Sequence, residues 1–263
     1  MRAGLVVLAL YLLVAAAGYA QLLPDAQRPI GDPQQPPSWH SATLLGTDAL
    51  GRSVLWRLLA GARTAVTLAV CATALAVPVG TLMGLLAGWF GGWVDAVLEW
   101  AWSVVQSVPD ILLITAISYA MGRGLAAMCC AIAATSWVGI MRLVRAEVMR
   151  HRDRDYVLAA RALGAGPGRL MFAEILPNVL HVAIATGSLV MVTAVKAEVV
   201  LTYLGLGMQD GASWGLLIAG AAQDLVNDVW APLAGAVGAM FLLIWAVSAV
   251  GDALRDVLDP RVG

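Results

Sequence analysis

The sequence predicts an all-α, polytopic membrane protein with about six transmembrane helices. Of its 263 residues, 60% are hydrophobic and only 13% are charged, whereas soluble domains carry about 25% charged residues. The mean hydropathy is +0.82. Several uncharged stretches also reach the length of about 20 apolar residues that crosses a hydrocarbon layer. The chain therefore belongs in a lipid bilayer.

Six segments fit such spans, and the residues between them are too polar to continue a helix through lipid. Four stretches lack Asp, Glu, Lys and Arg, a fifth is slightly short, and the third span contains Glu99 and Asp110. The predicted units are a first helix at 1–23, an external loop at 24–62, a transmembrane core at 63–252 and a tail at 253–263. Within the core, spans are expected at 64–89, 96–121, 124–146, 175–205 and 231–251, with a charged loop at 151–174.

The first apolar segment has two interpretations. Arg2, the apolar run and the small residues Gly18-Tyr19-Ala20 before Gln21 are also typical of a cleaved secretory signal. A retained helix is favoured, and the other five spans keep their orientation in either case.

Arginine placement predicts the orientation, because cytoplasmic loops near helix ends carry the basic excess. With the N-terminus inside, ten arginines are cytoplasmic: Arg2, Arg142, Arg145, Arg150, Arg152, Arg154, Arg161, Arg169, Arg255 and Arg261. Five are external: Arg28, Arg52, Arg57, Arg63 and Arg123. Both termini are therefore expected in the cytoplasm.

Composition and motifs argue against several classes of function. A net charge of -1 does not suit a nucleic-acid binder, which usually carries a basic face. Cys71, Cys129 and Cys130 lie in apolar runs, and the three histidines lack metal-ligand spacing. The chain has no G-x-x-x-x-G-K-[ST] phosphate loop and no clustered catalytic groups. We predict neither a cofactor nor a metal site nor enzymatic activity in this chain.

Gly80, Gly84 and Gly88 recur every four residues on the second span. Small residues at this spacing let another helix backbone approach closely. Packing within the chain is favoured over a seam between two chains.

The charged loop after the fourth span predicts a short amphipathic helix. Tyr156, Ala159, Ala160 and Leu163 recur at three and four residues, and Gly164 ends the helix. The alanines leave room for a partner to come close. Spacing alone leaves two interpretations open: docking onto another protein, or an interfacial helix on the lipid headgroups.

Here the residues carry a family resemblance. The segment Asp155-Tyr-Val-Leu-Ala-Ala-Arg-Ala-Leu-Gly164, followed by Ile175-Leu-Pro177-Asn178, resembles the signature loop of binding-protein-dependent ABC importer permeases. The family pattern begins Glu-Ala-Ala and has a glycine four residues after the second alanine. This chain has Leu158 in place of the glutamate.

Further blocks resemble the second permease of dipeptide, oligopeptide and nickel importers. They lie at 45–52, 88–95, 198–207, 213–215 and 251–261. The resemblance implies a type I ABC importer permease fold in a bacterial cytoplasmic (inner) membrane. It also implies a homologous second permease forming a heterodimer, an external substrate-binding protein and two ATPase subunits. Those subunits bind ATP and Mg, and their clefts receive the helix around Ala159, Ala160 and Gly164.

The implied function is import of a solute delivered by the binding protein, and di- or oligopeptides are the favoured cargo. Nickel or a metal chelate is the alternative cargo for the same mechanism. The remote alternative is a proton-coupled secondary transporter, which needs no ATPase and leaves the charged loop without a task. The loop at 27–52 and the segment at 208–228 are candidate surfaces for the binding protein, although Trp214 and Trp230 could equally be interfacial anchors.

Four ionisable residues fall within predicted spans, where charge is costly and often faces a cavity. They are Glu99, Asp110, Lys196 and Glu198. Lys196 and Glu198 point about 200° apart on a helix, so they do not both face one pathway. We expect Lys196 to pair with Glu99 or Asp110, and a structural ion pair is favoured over direct contact with the solute.

Overall fold

The computed structural model describes residues 2–122, 124–208 and 211–258. Its α-helices are α1 (Arg2–Tyr19), α2 (Val54–Phe90), α3 (Gly92–Gln106), α4 (Asp110–Ala120), α5 (Leu125–Arg152), α6 (Asp155–Ala162), α7 (Pro167–Arg169), α8 (Leu176–Tyr203), α9 (Trp214–Val226) and α10 (Ala231–Leu258). A π-helical turn, Leu170–Ile175, joins α7 to α8. The described ranges contain no β-strand, and the predicted all-α membrane fold is confirmed. Arg123, Arg261 and parts of the predicted segments at 208–228 and 253–263 lie outside the described residues.

Five helices are long and apolar enough to cross a bilayer: α1, α2, α5, α8 with its preceding turns, and α10. The third predicted span, 96–121, is not one straight helix. Instead α3 and α4 meet at 90°. The break contains Pro109, which has no N–H to donate and disfavours helical backbone at the residue before it. Counted as one broken span, α3 and α4 bring the total to six.

Several helix ends differ from the sequence prediction, and α1 ends at Tyr19 instead of 23. Helix α2 begins at Val54 instead of 64, because Ser53 caps it through a hydrogen bond from the Trp56 N–H to Oγ at 3.3 Å. Arg63, which set the predicted start, is exposed and donates to the Gly18 carbonyl oxygen at 3.3 Å. Arg57, about one and a half turns earlier, pairs with Asp48 and is buried. Helices α5 and α10 continue past the predicted 146 and 251. Most of the predicted tail at 253–263 is therefore the last turns of α10.

The core is built around α2 and α8, which take part in all three clusters of buried apolar side chains. One cluster joins them to α1, α9 and α10, the second to α5 and α6, and the third to α4 and α5. An interior of this kind leaves most of the outer helix surfaces apolar and exposed, as expected for helices that face lipid.

The three glycines of α2 face α5 within the chain. A β-carbon added at Gly80 would lie 2.6 Å from the Ile140 β-carbon, and one at Gly84 would lie 2.8 Å from that of Val144. Gly88 meets Val148 in the same way, at 2.7 Å. The α2–α5 contact is therefore a close-backbone seam that only glycine allows.

The helices leave two ends of the bundle with different character. One end, here called the loop end, carries residues 20–53 and α9, which are hydrogen-bonded to each other. The other, called the arginine-rich end, carries the Gly91–Gly92 turn and α6. There Arg152 donates to the carbonyl oxygen of Gly88 at 3.3 Å.

Candidate functional site: the α6 segment and the charged residues of the spans

Helix α6 is held on the bundle by one side only. Val157 is fully buried and packs with Val148 of α5 and with Leu170 and Ile175 of the π-helical turn. Ala160 is partly buried against the same cluster. This anchoring fixes the direction of α6 and leaves its opposite side uncovered.

The uncovered side contains most of the residues predicted to dock. Tyr156, Leu158 and Ala159 are exposed, and Leu163 is 90% exposed. The Tyr156 hydroxyl lies 2.8 Å from Nδ1 of His151, so the ring is positioned by the end of α5. Leu163, the residue directly after α6, is thus an apolar side chain that the described residues leave uncovered.

Gly164 ends α6 by adopting a left-handed conformation. Its φ is +85°, and the next residue, Ala165, donates its N–H to the Ala160 carbonyl at 3.1 Å. This is the usual glycine stop of a helix C-terminus. A β-carbon at Gly164 would meet no atom within 4 Å, so the backbone conformation alone requires glycine here.

Glu99 forms an ion pair, although its partner is not the one predicted. Its Oε1 lies 3.2 Å from Nη2 of Arg145, which also bonds Asp95. Arg145 is on α5 at the arginine-rich end, next to the α2–α3 turn. The acidic residues of α3 therefore tie that turn to α5.

Lys196 has no carboxylate within 4 Å among the described residues, so the predicted pair with Glu99 or Asp110 does not form. Glu99 is taken by Arg145, and Asp110 is exposed at the start of α4. The Lys196 side chain is exposed on the surface of α8.

Glu198 lies on the other side of α8 and is only 1% exposed. The Thr202 hydroxyl donates to its Oε1 at 3.0 Å. A β-carbon on Gly215 of α9 would lie 3.2 Å from the same oxygen. Glu198 thus belongs to the contact between α8 and α9, on the side of α8 away from Lys196.

Sequence reasoning missed a buried ionic cluster at the loop end. Asp48 is almost fully buried and pairs with Arg57 at 2.5 Å and with Arg52 at 2.9 Å. Burial alone would raise the pKa of Asp48, but hydrogen bonds from the Arg52 and Leu50 N–H groups and the two arginine charges lower it instead. One aspartate followed by two arginines at 48, 52 and 57 is the signal that could have revealed the cluster.

Side-chain hydrogen bonds also connect the loop to α9. Gln34 donates to Asp224 at 3.1 Å and accepts from Asn227 at 3.1 Å. Asp224 is itself buried. The loop and α9, both predicted as external surfaces, therefore form one fixed platform.

Trp214 is a core residue and not an interfacial anchor. It is 0% exposed, its indole N–H donates to the Leu58 carbonyl at 3.0 Å, and its ring meets Tyr11 edge-on at 6.0 Å. Trp230 is 62% exposed and keeps the character of an interfacial residue. The two tryptophans thus have different roles.

Comparison with known proteins gives a consistent result. Residues 80–263 match the family model described as the inner membrane component of binding-protein-dependent transport systems. The chain is 36% identical over 232 residues to the di/tripeptide transport system permease protein DppC of Pseudomonas aeruginosa, covering 86% of this chain and 76% of the relative. It is 31% identical to the oligopeptide transport system permease protein OppC of Bacillus subtilis, covering 82% and 71% of the two chains. A solved inward-facing structure of the MetNI methionine ABC transporter superposes with a TM-score of 0.62 at 17% identity, covering 78% of this chain and 97% of that one.

Proposed function

Given that the chain belongs to the family of binding-protein-dependent transport system inner membrane components, we propose that it is the translocation subunit of an ATP-driven peptide importer. The observation that carries the proposal is α6. The family's signature segment folds as a short helix with one buried anchor, an exposed contact side and a glycine stop.

Peptides are favoured as cargo over a nickel or metal chelate because the two relatives described above are named as di/tripeptide and oligopeptide permeases. The same names argue against a proton-coupled secondary transporter. The chain is a non-catalytic subunit, and ATP with its Mg is bound by partner ATPases. Closure of the ATPases on α6 moves α5 and α8, which flank it.

The membrane location and orientation complete the proposal. The chain crosses a bacterial inner membrane several times, with both termini and the arginine-rich end in the cytoplasm. The retained first helix is supported by the bond from the Tyr11 hydroxyl to the Ala239 carbonyl of α10, at 2.7 Å. A homologous second permease forms the other half of the pathway, and the substrate-binding protein docks at the loop end.

Reconstitution tests this proposal. The chain is coexpressed with the neighbouring permease, ATPases and binding protein, and the purified complex is placed in proteoliposomes. Uptake of labelled trialanine should require the binding protein and ATP on the ATPase side. Uptake driven by a proton gradient in the absence of the ATPases would contradict the proposal. So would a complex that takes up a nickel chelate but takes up no peptide.

A further inference from the structure

The unpaired Lys196 belongs to a continuous exposed stripe on α8. The residues that share the stripe are Leu189, Thr193, Lys196, Val200 and Tyr203. Their spacing of three, four and seven residues places them on one face of the helix. The opposite face is buried and carries Ala194, Ala197 and Glu198. The exposed face thus carries a lysine, a threonine and a tyrosine in the C-terminal half of α8.

Lipid is an unsuitable neighbour for this face. Lys196 lies seven residues before the end of α8, or about 10 Å along the helix axis. Its α-carbon is therefore within the span. A charged side chain at such a depth usually faces a protein interior or a water-filled cavity. Among the described residues no carboxylate neutralises it. The described residues therefore leave Lys196 open to water or to another molecule.

The same face of α8 leads into a cavity at the arginine-rich end. The cavity has a volume of about 510 Å³ and lies between α5, α8 and α10. Its α8 lining includes His181, Ala185 and Leu189, and all three lie within about 60° of Lys196 around the helix axis, at 100° per residue. The stripe and the cavity are thus one continuous surface along α8.

Positive charge predominates in this cavity. Arg150, Arg154 and Arg255 line it, against the two carboxylates of Glu147 and Asp252. Arg150 is bonded to Glu147 at 3.0 Å. Arg154 and Arg255 are exposed and form no ion pair with the described residues. Two arginines here, and Lys196 farther along the face, are therefore available to an anionic group.

We propose that this face of α8 lines the solute pathway and that Lys196 attracts the carboxylate of the passing solute, which Arg154 and Arg255 meet at the inner mouth. The inference rests on the proposed function and narrows the cargo to solutes with a free carboxylate. An unmodified peptide carries that group at its C-terminus. A cation held along the route lowers the cost of moving the carboxylate through the membrane.

Chemical modification tests both the position and the charge of residue 196. In a complex whose Cys71, Cys129 and Cys130 are replaced by alanine, Lys196→Cys should lower ATP-driven trialanine uptake about tenfold, as expected when one charge-assisted contact is lost. Aminoethyl methanethiosulfonate, which restores a cation, should recover most of the uptake. The neutral hydroxyethyl reagent should not, and the anionic sulfonatoethyl reagent should leave uptake lowest.

Two matched positions control for accessibility and for damage to the helix. Thr193→Cys, on the same face, should react with the water-soluble reagents. Leu180→Cys is exposed but lies on nearly the opposite side of α8, and it should stay unreactive with normal uptake. Basal ATP hydrolysis by the Leu180→Cys complex should equal that of the cysteine-free complex.

Three results would overturn the inference. The first is a Lys196→Cys thiol that does not react with water-soluble reagents, since this position would then face lipid or protein. The second is equal recovery with the neutral and cationic reagents. The third is loss of the second permease from the Lys196→Cys complex, which would mean that Lys196 pairs with a carboxylate of that subunit. Failure of the proposed function looks different, because the unmodified complex would then show no ATP-driven uptake of trialanine.

Discussion

The two ends of the bundle are built in contrasting ways. At the loop end, Asp48, Arg57 and Asp224 are buried and hydrogen-bonded or ion-paired, and Trp214 fills the space beneath them. At the arginine-rich end, α6 depends on one fully buried side chain, Val157, and exposes Leu163. One end is completed by this chain itself. The other presents a helix whose exposed side the described residues leave uncovered, and under the proposed function an ATPase covers it.

This difference suggests how the two surfaces work. A platform braced by buried charges keeps its shape whether or not a binding protein is present. Under the proposed function, a helix anchored at one point follows the ATPase when the ATPase moves. It passes the movement to α5 and α8, which precede and follow it in the chain. The following predictions test whether the ends differ in this way, from the largest expected effect on stability to the smallest.

Removing the charge at the centre of the loop end should be the most damaging change. Asp48→Ala leaves Arg57 buried without its partner and should lower the free energy of unfolding by about 3–5 kcal/mol. Thermal unfolding of the purified complex in detergent measures this. Asp32→Ala, an exposed aspartate of the same loop, should have little effect. An equal loss of unfolding free energy in the two variants would contradict the claim that buried charges stabilise the loop end.

The tryptophan beneath the platform should matter nearly as much. Trp214→Ala creates a cavity between α1, α2 and α9 and should cost about 3–5 kcal/mol. Trp230→Ala removes the same side chain from an exposed position and should cost far less. The comparison uses the same unfolding measurement, and similar losses for both would show that Trp214 is not a core residue.

The glycine seam between α2 and α5 joins the two ends and should tolerate little change. Gly84→Ala places a methyl group 2.8 Å from the Met141 carbonyl oxygen and should cost about 1–3 kcal/mol through overpacking. Gly139→Ala, where the added carbon meets no atom within 4 Å, should be neutral or slightly stabilising. A neutral Gly84→Ala would argue that the seam is looser than its geometry indicates.

Acid should weaken the loop end selectively. Because the folded-state pKa of Asp48 is lowered, its contribution is present above the ordinary value of 3.8 and is lost as the pH falls below that value. The unfolding temperature of the unmodified protein should therefore drop over this range. Asp48→Asn should show a smaller drop, and parallel pH curves would contradict the assignment.

The spans were readable from sequence because lipid imposes a strong requirement for uncharged stretches. The same rule explains the errors. A span without charged residues has to begin after Arg63, although α2 begins at Val54. It also has to end at 251, although the polar last turns of α10 continue as helix. The sequence also could not predict that Lys196 and Glu99 do not pair, because the position of Glu99 beside Arg145 depends on how α3 packs. The α6 segment was visible because its helix and its glycine stop are local features.

The central claim is that α6 docks onto an ATPase, and Gly164→Leu tests it most directly. A leucine at φ +85° costs about 1–2 kcal/mol in backbone strain, which alters the end of α6 without filling a buried space. Gly166→Leu is the matched control, since that residue has an ordinary φ of -74° and open surroundings. The account predicts that the Gly164→Leu complex inserts into membranes but loses coupled ATP hydrolysis and peptide uptake, while Gly166→Leu retains much more of both. Normal transport by Gly164→Leu would contradict the docking claim.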